Sequence, residues 1–231
     1  LPEHLISNSR FAIERTLSKG IPPQRIDLLK NVVKVCPLGE KKPDKVGKPL
    51  IILFAGRLSE EKRPEVFIDL AARLLREFPK VKLRFELAGD GPLREPLENY
   101  VVQCGLPKHD IIFLGDQADM NKVYERTDIL VLTSQHEGMP NVALEAMAYG
   151  IPVVATKVGG VPEILSEECG FLVDASDYDG LCQAATKLIQ DQKLRSRLGG
   201  NGRQYVVGNH SLPYLSDRLT AIYSKLLERD Q

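Results

Sequence analysis

The sequence predicts an α/β protein: a doubly wound parallel sheet with helices on both faces. Three observations carry that expectation. Short, almost wholly apolar runs such as Leu50–Ala55 and Ile129–Leu132 have the length of strands buried on both sides. Between such runs lie single segments with helical apolar spacing, the βαβ pattern of a parallel sheet. The residues able to do chemistry cluster directly after the strands, where doubly wound sheets hold their ligands.

Taken in order, Leu50–Ala55 is the first strand of the main sheet. Val66, Phe67, Leu70, Ala71, Leu74, Leu75 and Phe78 then recur at helical spacing, and Pro79 ends that helix. Val81–Ala88 reads as a strand, Pro92–Gln103 as a helix and Ile111–Leu114 as a strand. A short helix is expected over Met120–Arg126, followed by strand Ile129–Leu132 and helix Asn141–Tyr149. Pro152–Ala155 and Phe171–Val173 are further strands, and helices fill Tyr178–Gln190, Lys193–Val207 and Tyr214–Glu228.

The first 48 residues read differently. His4–Ser7 and Val32–Val35 are candidate strands around a helix over 8–19, and 39–49 is a polar linker punctuated by Gly and Pro. So few elements cannot bury a core alone. Residues 1–48 are therefore expected to be the tail of a preceding domain plus a linker, or a flap, with 49–231 as the main domain.

Composition narrows the function. Lys plus Arg and Asp plus Glu both number 31 in 231 residues, so bulk charge gives no case for nucleic acid as a partner. No apolar run approaches the ~20 residues of a membrane span. The first residues lack the basic and apolar regions of a signal peptide, and the chain does not begin with Met. Cys36, Cys104, Cys169 and Cys182 form no Cys-x-x-Cys pair, which argues against zinc and for a reducing, cytoplasmic setting.

The chemistry lies in the loops. Gly56-Arg57-Leu-Ser-Glu-Glu-Lys62 follows the first main strand and feeds a helix. Cations at a helix N-terminus oppose its dipole unless an anion joins them, so Arg57 and Lys62 suggest a phosphate. The competing reading pairs them with Glu60, Glu61 or Glu65. Gly89-Asp-Gly91-Pro92 resembles the opening of a dinucleotide fingerprint, but Arg94 stands where the third Gly belongs, and a tight turn with Pro92 starting the helix is the favoured reading.

After Ile129–Leu132 comes Thr133-Ser-Gln-His-Glu137-Gly-Met-Pro-Asn141, with Glu145 one turn into the next helix. Gly138 and Pro140 shape a loop whose backbone N–H groups converge, and Glu145 is placed to hold ribose hydroxyls. A lone carboxylate flanked by Leu144, Ala146, Met147 and Ala148 is costly without partners, which favours a functional role. Gly159-Gly160-Val-Pro-Glu163 offers further backbone donors nearby. Asp177-Tyr-Asp179 matches a metal-binding pattern formally but stands where a helix N-cap is expected. His136 borders the loop without a partner triad.

Phe54-Ala-Gly-Arg-Leu-Ser-Glu-Glu-Lys62, Leu87-Ala-Gly-Asp-Gly-Pro92, Phe113-Leu-Gly115, Ser134–Gly150, Pro152-Val-Val-Ala and Val158–Ile164 occur in that order. Together they resemble the nucleotide-sugar-binding half of the group-1 retaining glycosyltransferases of GT-B fold, over about residues 50–228. The resemblance implies that Glu137 faces the donor sugar and Glu145 binds the ribose. It implies that Arg57 and Lys62 neutralise the departing diphosphate. Gly56, Gly138, Met139, Pro140 and Asn141, with the N–H groups of Val142 and Ala143, match the phosphate and sugar cradle, and Leu114–Gln117 the segment beside the base. Retention at the anomeric carbon, no obligatory metal or other cofactor, and a nucleotide-sugar donor as partner are also implied. Asn31-Val32 stands where the family usually has Asn-Gly.

Such enzymes carry a second Rossmann-like domain that binds the acceptor, so this chain is expected to be an excised C-terminal domain, inactive alone. A nucleotide-sugar-binding module without transferase activity is the alternative. The last helix is expected to expose part of its apolar face (Leu219, Ile222, Tyr223, Leu226) and favour weak self-association.

Overall fold

A computed structural model describes residues 4–35 and 47–227. The main sheet has six strands: β3 (Leu50–Ala55), β4 (Leu83–Ala88), β5 (Ile111–Gly115), β6 (Ile129–Leu132), β7 (Val153–Thr156) and β8 (Gly170–Val173), β1 and β2 being an N-terminal pair described below. All neighbours pair in parallel, in the order β5-β4-β3-β6-β7-β8. The chain winds outward from β3 to β5, then returns to β6 on the other side of β3. The crevice between β3 and β6 is thus the switch point, where adjacent loops leave in opposite directions.

The alternation along β3 shows why both faces must be covered. Ile52 and Phe54 join one apolar cluster and Leu53 and Ala55 the other. Helices α2 (Pro64–Glu77), α3 (Arg94–Gln103) and α6 (Tyr178–Gln190) cover the first face. Helices α4 (Asn121–Tyr124), α5 (Asn141–Ala148) and α7 (Gln192–Asn209) cover the second. Pro64 opens α2 at a position that needs no N–H, and Phe67, Ile68, Leu70, Ala71 and Leu74 form its fully buried stripe. Asp191 closes α6 and caps α7, accepting from Leu194 N–H at 2.9 Å. Arg195 donates to the Leu188 and Ile189 carbonyls that the end of α6 leaves open. Asp177 caps α6 by accepting from Gly180 N–H, and Asp179 pairs with Arg73 at 2.5 Å. The Asp-x-Asp pattern is therefore held in structural contacts.

Three expectations need correction. Val32–Val35 forms no strand, and the partner of β1 (Leu5–Ser7) is β2 (Ile26–Leu28), in a separate two-stranded parallel sheet packed with α1 (Arg10–Leu17). Val33 is instead buried against the second cluster and donates its N–H to the His210 carbonyl, so its apolar character serves a tertiary contact. The second main strand starts at Leu83, and its helix at Arg94, because Gly91–Leu93 is held by the loop after β3. Finally, of the four residues expected to lie open on α8 (Leu212–Leu227), Ile222 is buried and Leu219 and Leu226 are half-buried, while Tyr223 is exposed. Residues 36–46, with Cys36 and most of the expected linker, lie outside the described residues. Cys104, Cys169 and Cys182 are free thiols. Among the described residues no helix is long and apolar enough to cross a membrane.

The N-terminal unit is fastened at its far end by charge. Asp27 on β2 accepts from Lys225 of α8 at 2.8 Å and from His4 at 2.8 Å, and Arg218 donates to the Leu28 carbonyl. Burial works to raise the Asp27 pKa, but the hydrogen bonds from Lys225 and His4 outweigh it and hold the carboxyl below its usual 3.8. A depressed folded pKa means that this contribution is complete above the unfolded value and is lost as pH falls through the folded one. Lys225→Ala should bring the Asp27 pKa up towards 3.8 and remove part of the stability at neutral pH. Carboxyl titration by NMR alongside melting curves from pH 2 to 7 checks both effects.

The Gly89-x-Gly91 turn has a steric cause. A Cβ on Gly89 would sit 2.1 Å from the Gly56 carbonyl oxygen, and one on Gly91 2.4 Å from that of Leu58. Two loops pack here backbone to backbone, joined by Leu58 N–H to Asp90 O and Leu93 N–H to Leu58 O. Gly89 also has φ +128. Gly89→Ala should therefore cost on the order of 2–4 kcal/mol, combining strain with overpacking. Gly105→Ala, with φ +67 and nothing within 4 Å, is the control and should cost about 1–2 kcal/mol. Urea unfolding of both variants measures the difference.

Candidate functional site at the carboxyl edge of the sheet

The loops after β3 and β6 meet at the switch point, and hydrogen bonds fix each against the other. The chain from Glu60 to Lys62 makes a single 3₁₀ turn, and Arg63 follows in the left-handed region at φ 50. That conformation is unfavourable for a side-chain-bearing residue, so something must hold it. Fully buried Thr133 places its hydroxyl 2.8 Å from both the Lys62 and Arg63 carbonyls. Gln135 N–H donates to Glu61 O at 2.8 Å, and Arg63 reaches the Ala175 carbonyl at 2.7 Å.

So held, Lys62 extends its ammonium to Glu137 at 2.6 Å. Ser134 Oγ donates to the same carboxylate oxygen at 2.7 Å. The Glu137 side chain is only 7% exposed, so its charge depends on these two donors. The competing pairing drawn from the sequence is not the observed one: the partner of Lys62 is Glu137, not Glu60, Glu61 or Glu65. Arg57 lies on the same loop, exposed, with no side-chain partner among the described residues.

A second contact sets Glu137 and Gly138 from the other side. A Cβ on Gly159 would lie 1.7 Å from the Glu137 carbonyl oxygen, and Gly160 N–H donates to Gly138 O at 2.9 Å. The Gly-Gly turn thus supports this backbone, and the Gly160 N–H is used in doing so.

From Gly138 the chain enters α5. Met139 and Pro140 are buried and anchor the loop, so they contribute backbone, not side chains, to the crevice. Among the described residues no acceptor meets the N–H groups of Gly138, Met139, Asn141 and Val142. Ala143 is a correction: its N–H donates to Pro140 O at 3.2 Å and is not free. The open donors and the helix end together favour an anion.

Glu145 has its partner. Tyr124 donates to Glu145 Oε2 at 2.7 Å from a nearly buried position at the end of α4. Burial first, and the Glu145 charge second, push the Tyr124 pKa well up, so the phenol stays a donor. Gln117 folds back onto Leu114 O at 2.8 Å, beside Gly115. His136 is exposed. Among the described residues no group of three or more His, Cys, Asp or Glu is arranged to hold a metal ion. A cavity of about 640 Å³ lined by Asp69, Arg76, Cys104 and Tyr178 includes none of the residues singled out for chemistry.

Sequence reasoning quoted Thr133, Ser134 and Asn31 within motifs but gave no role to them or to Tyr124. Asn31 donates to Met139 O at 3.1 Å and to Asn141 Oδ1 at 2.8 Å, tying the N-terminal segment to the same loop. Only Tyr124 had a local signal, since a carboxylate set among apolar residues requires a donor.

The family model described as "Glycosyl transferases group 1" matches residues 39–205. A D-inositol 3-phosphate glycosyltransferase of Corynebacterium efficiens is 34% identical over 196 residues, 80% of this chain and 46% of that protein. A lipopolysaccharide core biosynthesis glycosyltransferase of Rhizobium meliloti is 33% identical, over 72% of this chain and 47% of that one. The chain thus spans about half the length of these curated relatives. The crystal structure of Anabaena HepE in complex with UDP superposes with a TM-score of 0.84 over 97% of this chain and 64% of that one, at 21% identity. Fold, motif order and family match converge: the chain belongs to the group 1 glycosyltransferases.

Proposed function

We propose that this chain is the donor-binding domain of a retaining glycosyltransferase that takes a sugar from a nucleotide-diphospho-sugar. The observation that carries the reading is the Lys62–Glu137–Ser134 cluster, placed at the switch point beside the unpaired N–H groups that open α5. Neighbouring solved structures of Anabaena HepE hold UDP, and one holds UDP-glucose, which supports the donor class.

In this reading the diphosphate lies against the N–H groups of Gly138, Met139, Asn141 and Val142, with Arg57 and Lys62 on its other side. Glu137 faces the sugar. Glu145 uses the oxygen that Tyr124 leaves free to accept from ribose hydroxyls, and Leu114–Gln117 flanks the base. As the anomeric bond breaks, negative charge grows on the leaving diphosphate. Two cations and a set of preorganised N–H groups stabilise that charge as a metal would, so no metal is required. Lys62 is held by Glu137 and is shared with the diphosphate when donor enters. Residues 1–48 are the tail of an acceptor-binding domain plus its linker. Without that domain no surface positions an acceptor, and positioning is worth roughly 7–11 kcal/mol, so the chain alone should not transfer sugar.

In the longer protein that carries this chain, Arg57→Ala or Lys62→Ala should lower kcat about 10²–10³-fold with a smaller change in donor KM, because the charge they meet develops only in the transition state. Glu137→Gln should slow transfer while leaving nucleoside diphosphate affinity nearly intact. Steady-state kinetics decide. A rise in donor KM with kcat unchanged would make both cations ordinary binding residues. Nucleotide-sugar binding without turnover in the full protein would favour a binding module instead.

A further inference from the structure

We infer that His210 is a positioning residue for the donor loop, acting through Asn31. The inference rests on the proposed reading of that loop as a diphosphate cradle.

His210 sits fully buried between α7 and α8, far along the chain from the loop it controls. Its Nδ1 lies 2.7 Å from the Asn31 carbonyl oxygen. A carbonyl only accepts, so Nδ1 carries the proton. The His210 carbonyl in turn accepts the Val33 N–H at 2.9 Å. One residue therefore grips the 31–33 segment by both a carbonyl and an N–H. The ring packs 5.4 Å from that of Tyr205, whose hydroxyl donates to the Glu163 carbonyl at 2.9 Å. Glu163 itself accepts from the N–H groups of Arg10 and Phe11 at the start of α1, at 2.9 Å each.

The grip matters because of what Asn31 does with its side chain. Its amide nitrogen reaches Met139 O and Asn141 Oδ1, on either side of Pro140. The first bond orients the peptide that leads into α5. The second occupies the Asn141 side-chain oxygen. Left alone, an Asn side chain at a helix start turns onto nearby backbone N–H groups. Held by Asn31, it leaves the Asn141 and Val142 N–H groups open for a ligand. His210 thereby keeps the cradle preorganised without touching it.

The test uses His210→Phe, which keeps a ring but loses the donor, and His210→Asn, which restores an N–H near Nδ1. Two readouts apply to this chain: amide hydrogen exchange across 138–144 without ligand, and affinity for UDP, GDP and ADP by calorimetry. His210→Phe should speed exchange in that segment and weaken the preferred nucleotide roughly threefold to tenfold, the scale of one hydrogen bond. His210→Asn should recover most of both. His210→Phe added to Asn31→Ala should do no further harm to affinity, since both act through one route. A His210→Phe variant that melts lower but keeps wild-type exchange and affinity overturns the inference. Additive losses in the double variant overturn the route through Asn31. Faster exchange in a chain whose wild type binds none of the three nucleotides supports His210's hold on the loop and overturns the cradle reading.

Discussion

At the carboxyl edge of the sheet, loops touch backbone to backbone, and the chemistry depends on that contact. Gly89 and Gly91 lie on the carbonyls of Gly56 and Leu58, and Gly159 and Gly160 on those of Glu137 and Gly138. A Cβ at any of these four positions would fall within 2.5 Å of a neighbouring carbonyl oxygen. Closely packed interiors give little at such points, so a side chain there must move a loop. The loops after β3 and β6 carry the site, and each is braced by a glycine pair from a neighbouring strand.

That bracing makes an otherwise costly electrostatic arrangement tolerable. A carboxylate as buried as Glu137 needs donors already in place, and Lys62 and Ser134 supply them at 2.6 and 2.7 Å. Lys62 is aimed by a turn ending in a left-handed Arg63, and Thr133 holds that turn by its carbonyls. The strain at Arg63 sits beside the candidate site, where an unfavourable conformation is kept because its surroundings over-determine it. The N-terminal segment joins the same economy of support: Asn31 meets the loop, and Glu163 meets α1.

Most of the sheet was legible because strands buried on both faces are short apolar runs, and Leu50–Ala55 and Ile129–Leu132 are almost nothing else. Glu145 stood out for the opposite reason, as a carboxylate among apolar neighbours where an unpartnered charge is expensive, and Tyr124 is the partner found there. What escaped was non-local. Val32–Val35 has the composition of a strand but spends it on a contact with the second core cluster, while Ile26–Leu28 pairs despite a central Asp27 that only Lys225 and His4 explain. Thr133 and Ser134 look like ordinary loop residues until the turn at Lys62 is brought against them. The Gly-x-Gly after β4 reads as a tight turn rather than a nucleotide fingerprint, but the loop it packs against, at Gly56 and Leu58, is not visible in the sequence.

On the proposed function, the open N–H groups before and at the start of α5 bind a diphosphate. Amide chemical-shift mapping of this chain, titrated with UDP, GDP and ADP, tests it most directly. Saturable shifts are expected for at least one nucleotide, largest at Gly138, Met139, Asn141 and Val142, with smaller ones near Arg57 and Lys62. Shifts confined to the cavity around Asp69 and Tyr178, or no saturable shift with any of the three, would contradict it.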